Sequence, residues 1–372
     1  MAGLENFLNR RLERNKVRFV CLTMIGMSVV MLAAAVLGAK ARQTAFGPSL
    51  GADYAEFYIA GRILNAYPHD RLYDLLLQDR LYHRLMPQAP LHESLPFAYA
   101  PFLACVFRPL ALLPYTASYL AWLIISAALY GSGLVLLGKT VRRIPSSENS
   151  TGRLLAFSFS PFLMECWIGG QVSTIGFFWI ALALHCEFHG REVAAGAALA
   201  VCSYKPTLLL LVIPMLVLGR RWKFVGGLLA SGTILAVTSL IAVGWRGCLG
   251  YVRLLVGYTR GTTGKLEGFR LWKLVDLNSF WKQLLDHETN LPQVLFLASI
   301  CVPLLILAHK WWRSGRFDDD RRKLLWASTL TWTLLANLYV GIYDSILIVL
   351  AAFLAADVQY RQESPSTSTL PQ

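Results

Sequence analysis

Long apolar runs alternate with short clusters of basic residues along most of the chain. Many runs have the roughly 20 residues that an α-helix needs to cross the hydrocarbon core of a bilayer, which is about 30 Å thick. We therefore predict an all-α polytopic membrane protein with about ten transmembrane helices. The predicted spans are residues 19–39, 115–138, 154–169, 171–188, 192–204, 206–219, 224–245, 292–309, 324–340 and 343–357.

The segment FAYAPFLACVFRPLALLP, residues 97–114, is apolar enough to be counted as a further span. Counting it would place the basic clusters KTVRR and RRWK outside the cell, against the preference of basic loops for the cytoplasm. Arg108 and the prolines of this segment also make it unsuited to crossing a bilayer. We interpret it as a re-entrant or interface-lying helix.

Basic residues set the predicted topology. Five Lys and Arg residues precede Phe19, so the N-terminus is expected in the cytoplasm, and alternation then places the C-terminus there too. We predict a cytoplasmic tail at 1–18, one integral-membrane domain at 19–357 and a disordered cytoplasmic tail at 358–372. Two large loops, at about 40–114 and 246–291, fall outside. The first contains DYAEFYIAGRILNAY and DRLYDLLLQDRLYHRLM, amphipathic stretches expected to lie on the outer membrane surface.

Composition removes several functional classes. Apolar residues make up 55% and charged residues 15% of the chain, and the net charge is +13. The basic residues mark loop ends rather than one binding stripe, so nucleic-acid binding is not expected. The seven cysteines show no CxxC spacing, which argues against a zinc site or a disulfide framework. The acidic run FDDDRRK, at 317–323, falls in a cytoplasmic loop and is interpreted as a solvated charge run. No metal or cofactor is predicted.

Two carboxylates, Asp53 and Glu56, follow closely on the first predicted span. At helical spacing i and i+3 they share one face, close to the outer membrane surface. They are either two solvated charges on an interfacial helix or a general base for a hydroxyl group at the membrane boundary.

Lys205 lies between two apolar runs that are each too short to bring it fully into water. It is either a lysine snorkelling from a short helix end or a site for a lipid-linked phosphate, whose negative charge an ammonium group stabilises. Glu165 and Gln171, in LMECWIGGQVS, flank an outer turn that is structural or part of a site.

Alternation of the spans brings Asp53, Lys205 and the pair Tyr343 and Asp344 to the same side of the membrane. This convergence of separate segments favours a site on the outer face. The second outer loop is basic and rich in glycine, which predicts a mobile lid. Its candidate phosphate ligands are Arg260, Lys265, Arg270 and Lys273.

The order of motifs resembles glycosyltransferase family 87, the polyprenyl-phosphate-mannose-type transferases with the GT-C fold. The matching stretches are GADYAEFYIAGR, YAPFLACVFRPLALLP, GGQVSTIGFFWIALAL, AAGAALAVCSYKPTLLLLVIPMLVLGRRWK, LVDLNSF and YDSILIVL. The resemblance implies an inverting, metal-independent transferase that uses a polyprenyl-phosphate-linked sugar on the outer face. Its acceptor would be a glycolipid or a cell-envelope glycan, and mannose is the usual sugar, although a pentose stays open.

The resemblance also implies roles for individual residues. Asp53 would be the catalytic aspartate and Lys205 would lie near the donor phosphate. Family members often carry a histidine near the last motif, and this chain has none there. The remaining candidate site residues lie in the matching stretches and are Glu56, Tyr58, Gln171, Asn278, Tyr343 and Asp344.

Two other functions compete with a transferase. A transporter or flippase for a polar or lipid-linked solute would also use intramembrane Lys205 and Glu165. Transporters often contain two related halves, and no segment of this chain has a second copy. A non-catalytic membrane scaffold would not need acids and bases on one face. The transferase is therefore the expected function.

Overall fold

A computed structural model describes residues 2–39, 42, 44, 49–89, 95–259, 273–285, 289–338 and 340–363. In these ranges the chain forms helices and no β-strand, which confirms the predicted all-α class. The α-helices are α1 (Ala2–Leu37), α2 (Tyr54–Ala66), α3 (Leu75–Leu85), α4 (Pro101–Phe107), α5 (Tyr115–Thr140), α6 (Ser146–Phe157), α7 (Ser173–Phe188), α8 (Glu192–Ala200), α9 (Val212–Leu218), α10 (Trp222–Thr259), α11 (Leu277–Leu284), α12 (Leu291–Trp312), α13 (Asp319–Leu335) and α14 (Ile348–Glu363). A π-helix covers Pro161–Ile168.

Five helices of the described chain are long and apolar enough to cross a membrane, and a bent pair raises the number to six. The bent pair is the π-helix and α7, which meet at 117°. These helices confirm the membrane class, whereas the count of about ten spans stays a prediction. The five single spans are Glu13–Leu37, Tyr115–Thr140, Trp222–Gly257, Leu291–Trp312 and Ile342–Arg361.

The ambiguous segment 97–114 forms α4 and a 3₁₀ turn at Leu110–Leu112. Seven helical residues rise only about 10 Å, a third of the hydrocarbon core, so α4 cannot cross a bilayer by itself. It packs against α2 and α10, and Leu103 and Phe107 are buried in these contacts.

Helix α2 differs from the sequence-based expectation of a helix lying on the membrane surface. Ten of its thirteen residues are buried, which leaves no broad face for lipid headgroups. The cause is an aromatic cluster at its first turn, where the Tyr54 hydroxyl hydrogen-bonds Ser118 at 2.5 Å. The Tyr54 ring also lies close to those of Phe107 and Trp122. Since aromatic side chains bury large areas, this cluster fixes the start of α2 inside the protein.

Helix α10 contains a sharp break at Gly244, which has φ 67° and ψ 177°. This backbone conformation is essentially restricted to glycine. Beyond the break, α10 packs against the 3₁₀ turn at His69–Arg71, and its Gly250 lies close to Tyr73.

A network of ion pairs joins the N-terminal end of α13 to the C-terminal end of α14. Lys323 contacts Asp357 at 2.5 Å, and Asp357 also accepts a hydrogen bond of 2.7 Å from the Arg143 backbone. Asp320 pairs with both Arg143 and Arg361. The expectation of a solvated charge run at 317–323 is therefore wrong for Asp320 and Lys323, which are buried because partners from two other segments cover them.

The predicted disordered tail at 358–372 also begins too early. Helix α14 continues to Glu363, and Val358 is buried. Residues 364–372 lie outside the described residues.

We predict that Asp357→Asn lowers the free energy of unfolding by about 3–5 kcal/mol, because it leaves the buried Lys323 ammonium without its counter-ion. Denaturant titration of the purified protein in detergent measures this loss. Asp319→Asn is the matched control, since Asp319 is 58% exposed and pairs with Arg322 one turn away. Its expected change stays within about 0.5 kcal/mol. Equal changes in both variants would contradict the structural role of Asp357.

Candidate active site

A tight turn at Gly169–Gly170–Gln171 joins the π-helix to α7 and docks against the start of α2. The Tyr54 backbone N–H donates to the Gly169 carbonyl at 3.2 Å, and Trp122 Nε1 donates to the Gly170 carbonyl at 2.9 Å. Gly170 has φ +85°, and a Cβ atom there would lie 2.6 Å from Tyr54 Cβ. Only glycine satisfies both the backbone angle and the close approach.

This turn places the Gln171 side chain beside Asp53. Gln171 Nε2 donates to Asp53 Oδ2 at 3.1 Å, and the Tyr99 hydroxyl donates to Gln171 Oε1 at 3.3 Å. An ionised carboxylate only accepts hydrogen bonds, so the amide must present its nitrogen to Asp53. Gln171 is 2% exposed, and this burial holds the amide in place.

Glu56 lies one turn along α2 from Asp53 and is 5% exposed. Burial raises the pKa of Glu56 well above its ordinary value, and the neighbouring Asp53 carboxylate raises it further. Lys205 and a hydrogen bond from Gln171 oppose these effects without cancelling them. The two acids predicted from the sequence are therefore not equivalent, because Asp53 is only half-buried.

Lys205 lies at a break between two 3₁₀ helices, Val201–Tyr204 and Pro206–Leu209. Its ammonium pairs with the fully buried Asp344 and lies 4.5 Å from the centroid of the Tyr343 ring. The side chain is 14% exposed, so it does not snorkel to the surface. The interpretation as a snorkelling lysine is therefore wrong, whereas the phosphate site stays a prediction.

Ser173 supports this ion pair from a second side. Its hydroxyl donates to Asp344 Oδ1 at 2.7 Å, while Lys205 engages Oδ2. The Asp344 carboxylate is thus fixed by two partners on different segments. Sequence reasoning missed Ser173, although it lies two residues after Gln171 in the motif GGQVS.

The end of the second predicted outer loop lies in the same region. Lys273 contacts Glu165 on the π-helix at 3.2 Å, and Cys166 Sγ donates to the Tyr343 carbonyl at 3.4 Å. Lys273 therefore pairs with an acid in this structure and leaves no more than part of its charge for a ligand.

Asn278 has an anchoring position. Its side-chain nitrogen donates to the Leu338 carbonyl at 3.1 Å. Asp276, two residues earlier and not selected by sequence reasoning, caps α11 by accepting from Ser279 N at 2.8 Å and also accepts from Val340 N at 3.0 Å. These bonds tie the second loop to the segment just before Tyr343.

The structure thus brings six predicted residues into one region and separates others from it. Tyr58 is directed away, since its hydroxyl donates to the Leu113 carbonyl at 2.9 Å. Arg260, Lys265 and Arg270 lie outside the described residues. The residues brought together are Asp53, Glu56, Gln171, Lys205, Tyr343 and Asp344.

The assembled group suits the transfer of a proton beside an anionic ligand. Asp53 is an accessible carboxylate, and Lys205 provides a positive charge within the protein. Among the described residues, no group of three or more His, Cys, Asp or Glu side chains is arranged to hold a metal ion.

Comparison with known families gives one match. The model of glycosyltransferase family 87 matches residues 97–364, most of the chain. The matched range includes Gln171, Lys205, Tyr343 and Asp344 but begins after Asp53 and Glu56. Comparisons with curated proteins and with solved structures give no match.

We predict that Gly170→Ala destabilises the protein by more than about 2 kcal/mol, because a methyl group both strains the backbone and pushes Tyr54 away. Gly190→Ala is the matched control. Gly190 also has a positive φ, of +73°, but its Cβ position is open. Backbone strain alone then costs about 1–2 kcal/mol. Denaturant titration of both variants tests this, and an equal loss in the two would contradict a tight contact between the turn and α2.

Proposed function

Because the chain belongs to glycosyltransferase family 87, we propose that it transfers a sugar from a polyprenyl-phosphate donor to a hydroxyl group of a glycolipid or cell-envelope glycan. The apolar helices fit a multi-pass membrane protein. The observation that carries the proposed mechanism is that a positioned carboxylate, Asp53, and an inward-facing cation, Lys205, lie in one region. The proposed site faces the outer side of the membrane, with both termini in the cytoplasm.

Asp53 is the proposed general base. It takes the proton of the acceptor hydroxyl while the hydroxyl oxygen attacks the anomeric carbon from the face opposite the phosphate. The new C–O bond forms as the bond to the phosphate oxygen breaks, and the polyprenyl phosphate leaves with the bonding electron pair. Attack from the opposite face inverts the anomeric configuration. The hydrogen bond from Gln171 supports this role because it fixes the direction of the Asp53 carboxylate.

Lys205 is the proposed partner of the leaving phosphate. Its ammonium is held by Asp344 and by the Tyr343 ring, so it is oriented before a ligand arrives. Since Asp344 offsets its charge, further cations are needed to balance the phosphate. The sequence offers Arg260, Lys265 and Arg270, outside the described residues, for this purpose.

An apolar groove supports a lipid-linked donor. It is about 650 Å³ in volume and lies between α1, α6 and α14. One end is lined by Ile348, four residues after Asp344, and the other by Tyr360. Along α14 this distance is about 18 Å, close to the thickness of one hydrocarbon leaflet. We propose that the groove takes the polyprenyl chain.

The remaining details follow the family resemblance alone. We propose mannose as the sugar and a metal-independent reaction. A pentose is the alternative sugar.

We predict that Asp53→Asn lowers the rate of sugar transfer by about 10²–10⁴-fold, because the amide cannot accept the proton of the acceptor. Transfer of radiolabelled mannose from polyprenyl-phosphate-mannose to membrane-extract acceptors in proteoliposomes measures the rate. Asp79→Asn on α3 is the control, because Asp79 is 47% exposed and belongs to a different helix. Normal turnover in Asp53→Asn would remove Asp53 from the mechanism.

We also predict that Ala352→Trp raises KM for a long-chain donor by about tenfold, because the indole fills the groove. A factor of ten corresponds to about 1.4 kcal/mol, or roughly two buried methylene groups. A donor analogue with one or two isoprene units should keep its KM, since its chain does not reach down the groove. Leu297→Trp, at a 60% exposed apolar position on α12, serves as the control. An equal rise for both donors would place the lipid chain elsewhere.

A further inference from the structure

We propose that Glu56 is protonated at neutral pH and that the Gln171 amide bridges it to an ionised Asp53, so that the acid pair carries a single negative charge. Glu56 is then a positioning residue, which acts on the reaction through Asp53. Its effect on sugar transfer rests on the proposed function, whereas the protonation state itself does not.

The position of Asp53 is the first observation. Asp53 occupies the N-cap of α2, but its side chain makes no capping hydrogen bond. Aspartate at this position usually accepts from the backbone N–H groups of the first helical turn. Here the carboxylate accepts from the Gln171 side chain instead. The local helix thus gives up a common stabilising contact in favour of a link to another segment.

The hydrogen-bond capacity of Gln171 is the second observation. Its oxygen accepts from the Tyr99 hydroxyl, which leaves the two N–H groups of the amide for acceptors. One of them serves Asp53, and the Glu56 carboxyl group lies close enough to the amide to interact with it. The buried amide therefore fixes the direction of Asp53 and lies next to both acids.

The charge of the region is the third observation. Among the described residues, Asp53, Glu56 and Asp344 are three carboxyl groups near the ammonium of Lys205. These four groups together would carry a charge of −2 if all were ionised, at a place where a donor phosphate must bind. One proton reduces this charge to −1. Since like charges at close range disfavour joint ionisation, one member of the acid pair keeps a proton.

Burial decides which acid keeps the proton. Glu56 is 5% exposed whereas Asp53 is half-buried, and desolvation disfavours the charged form of the more deeply buried group. The raised pKa of Glu56 agrees with this assignment. Among the described residues, Lys205, Tyr99, Tyr343 and Cys166 interact electrostatically with the pair, and Asp344 and Glu165 interact in turn with these groups.

The arrangement divides two tasks between two similar side chains. Asp53 is left as the ionised member of the pair and is thus the base for the acceptor hydroxyl. Glu56 occupies the second carboxyl position without adding a charge that would repel the donor phosphate. An ionised Glu56 would weaken donor binding through this repulsion.

Infrared difference spectroscopy of the full chain in liposomes tests the protonation state without a substrate. A protonated carboxyl group has a C=O band that is separate from carboxylate bands and shifts in D₂O. At pH 7 we expect Glu56→Gln to abolish one such band and Asp53→Asn to retain it. Loss of the band in Asp53→Asn but not in Glu56→Gln would reverse the roles of the two acids. Absence of any band change in Glu56→Gln would overturn the proposal.

Stability provides a second readout with a defined sign. Because the folded-state pKa of Glu56 is raised above the unfolded value of about 4.3, its contribution to stability is fully present below that value. The contribution is lost as pH rises through the folded pKa. We expect the wild-type free energy of unfolding to decrease over this range relative to that of Glu56→Gln. Parallel pH profiles would contradict a raised pKa.

Kinetics separate a failure of this inference from a failure of the proposed function. We expect Glu56→Gln, a neutral isostere, to lower kcat/KM less than tenfold at pH 7 and to reduce its decline at alkaline pH. An inactive Asp53→Asn together with an equally inactive Glu56→Gln would overturn the inference and leave the transferase standing. A fully active Asp53→Asn would instead overturn the proposed mechanism.

Discussion

The contact between the Gly169–Gly170–Gln171 turn and the first residues of α2 is the constraint on which the candidate site depends. No side chain fits between Gly170 and Tyr54, so two segments more than a hundred residues apart meet through their backbones. The aromatic cluster around Tyr54 holds one partner, and the hydrogen bond from Trp122 holds the other. Because both segments are fixed, the Gln171 side chain holds the Asp53 carboxylate in one direction before any ligand binds.

Buried charges in this protein occur with partners from distant segments. Lys205 meets Asp344 in the candidate site, and Lys323 meets Asp357 in the network beyond it. Isolated charges in an apolar interior cost far more than a single fold can compensate, so each pair also dictates which helices must be neighbours. The two pairs thereby attach the segment 344–357 to other parts of the chain at both of its ends.

The sequence predicted the helical membrane class and the grouping of Asp53, Lys205 and Asp344, because apolar periodicity and alternation of spans are properties of the chain itself. It did not predict the burial of α2, since amphipathic periodicity is the same for a helix on a membrane and for one inside a protein. Tyr99 and Ser173 were also missed, because a sequence does not show which side chain a hydroxyl group will contact. Asp320 and Lys323 were misjudged for a similar reason, as their counter-ions come from residues 143, 357 and 361.

The break at Gly244 divides α10 into two helical segments whose relative angle depends on one residue. One residue, in a backbone state open essentially to glycine, sets the angle between residues 222–243 and residues 245–259. Residues 245–259 contact the turn that follows α2, the helix that begins beside Asp53. A change of angle at this single residue would therefore act on the same helix that carries Glu56 and begins at Asp53, which couples the position of residues 245–259 to the geometry of the acid pair.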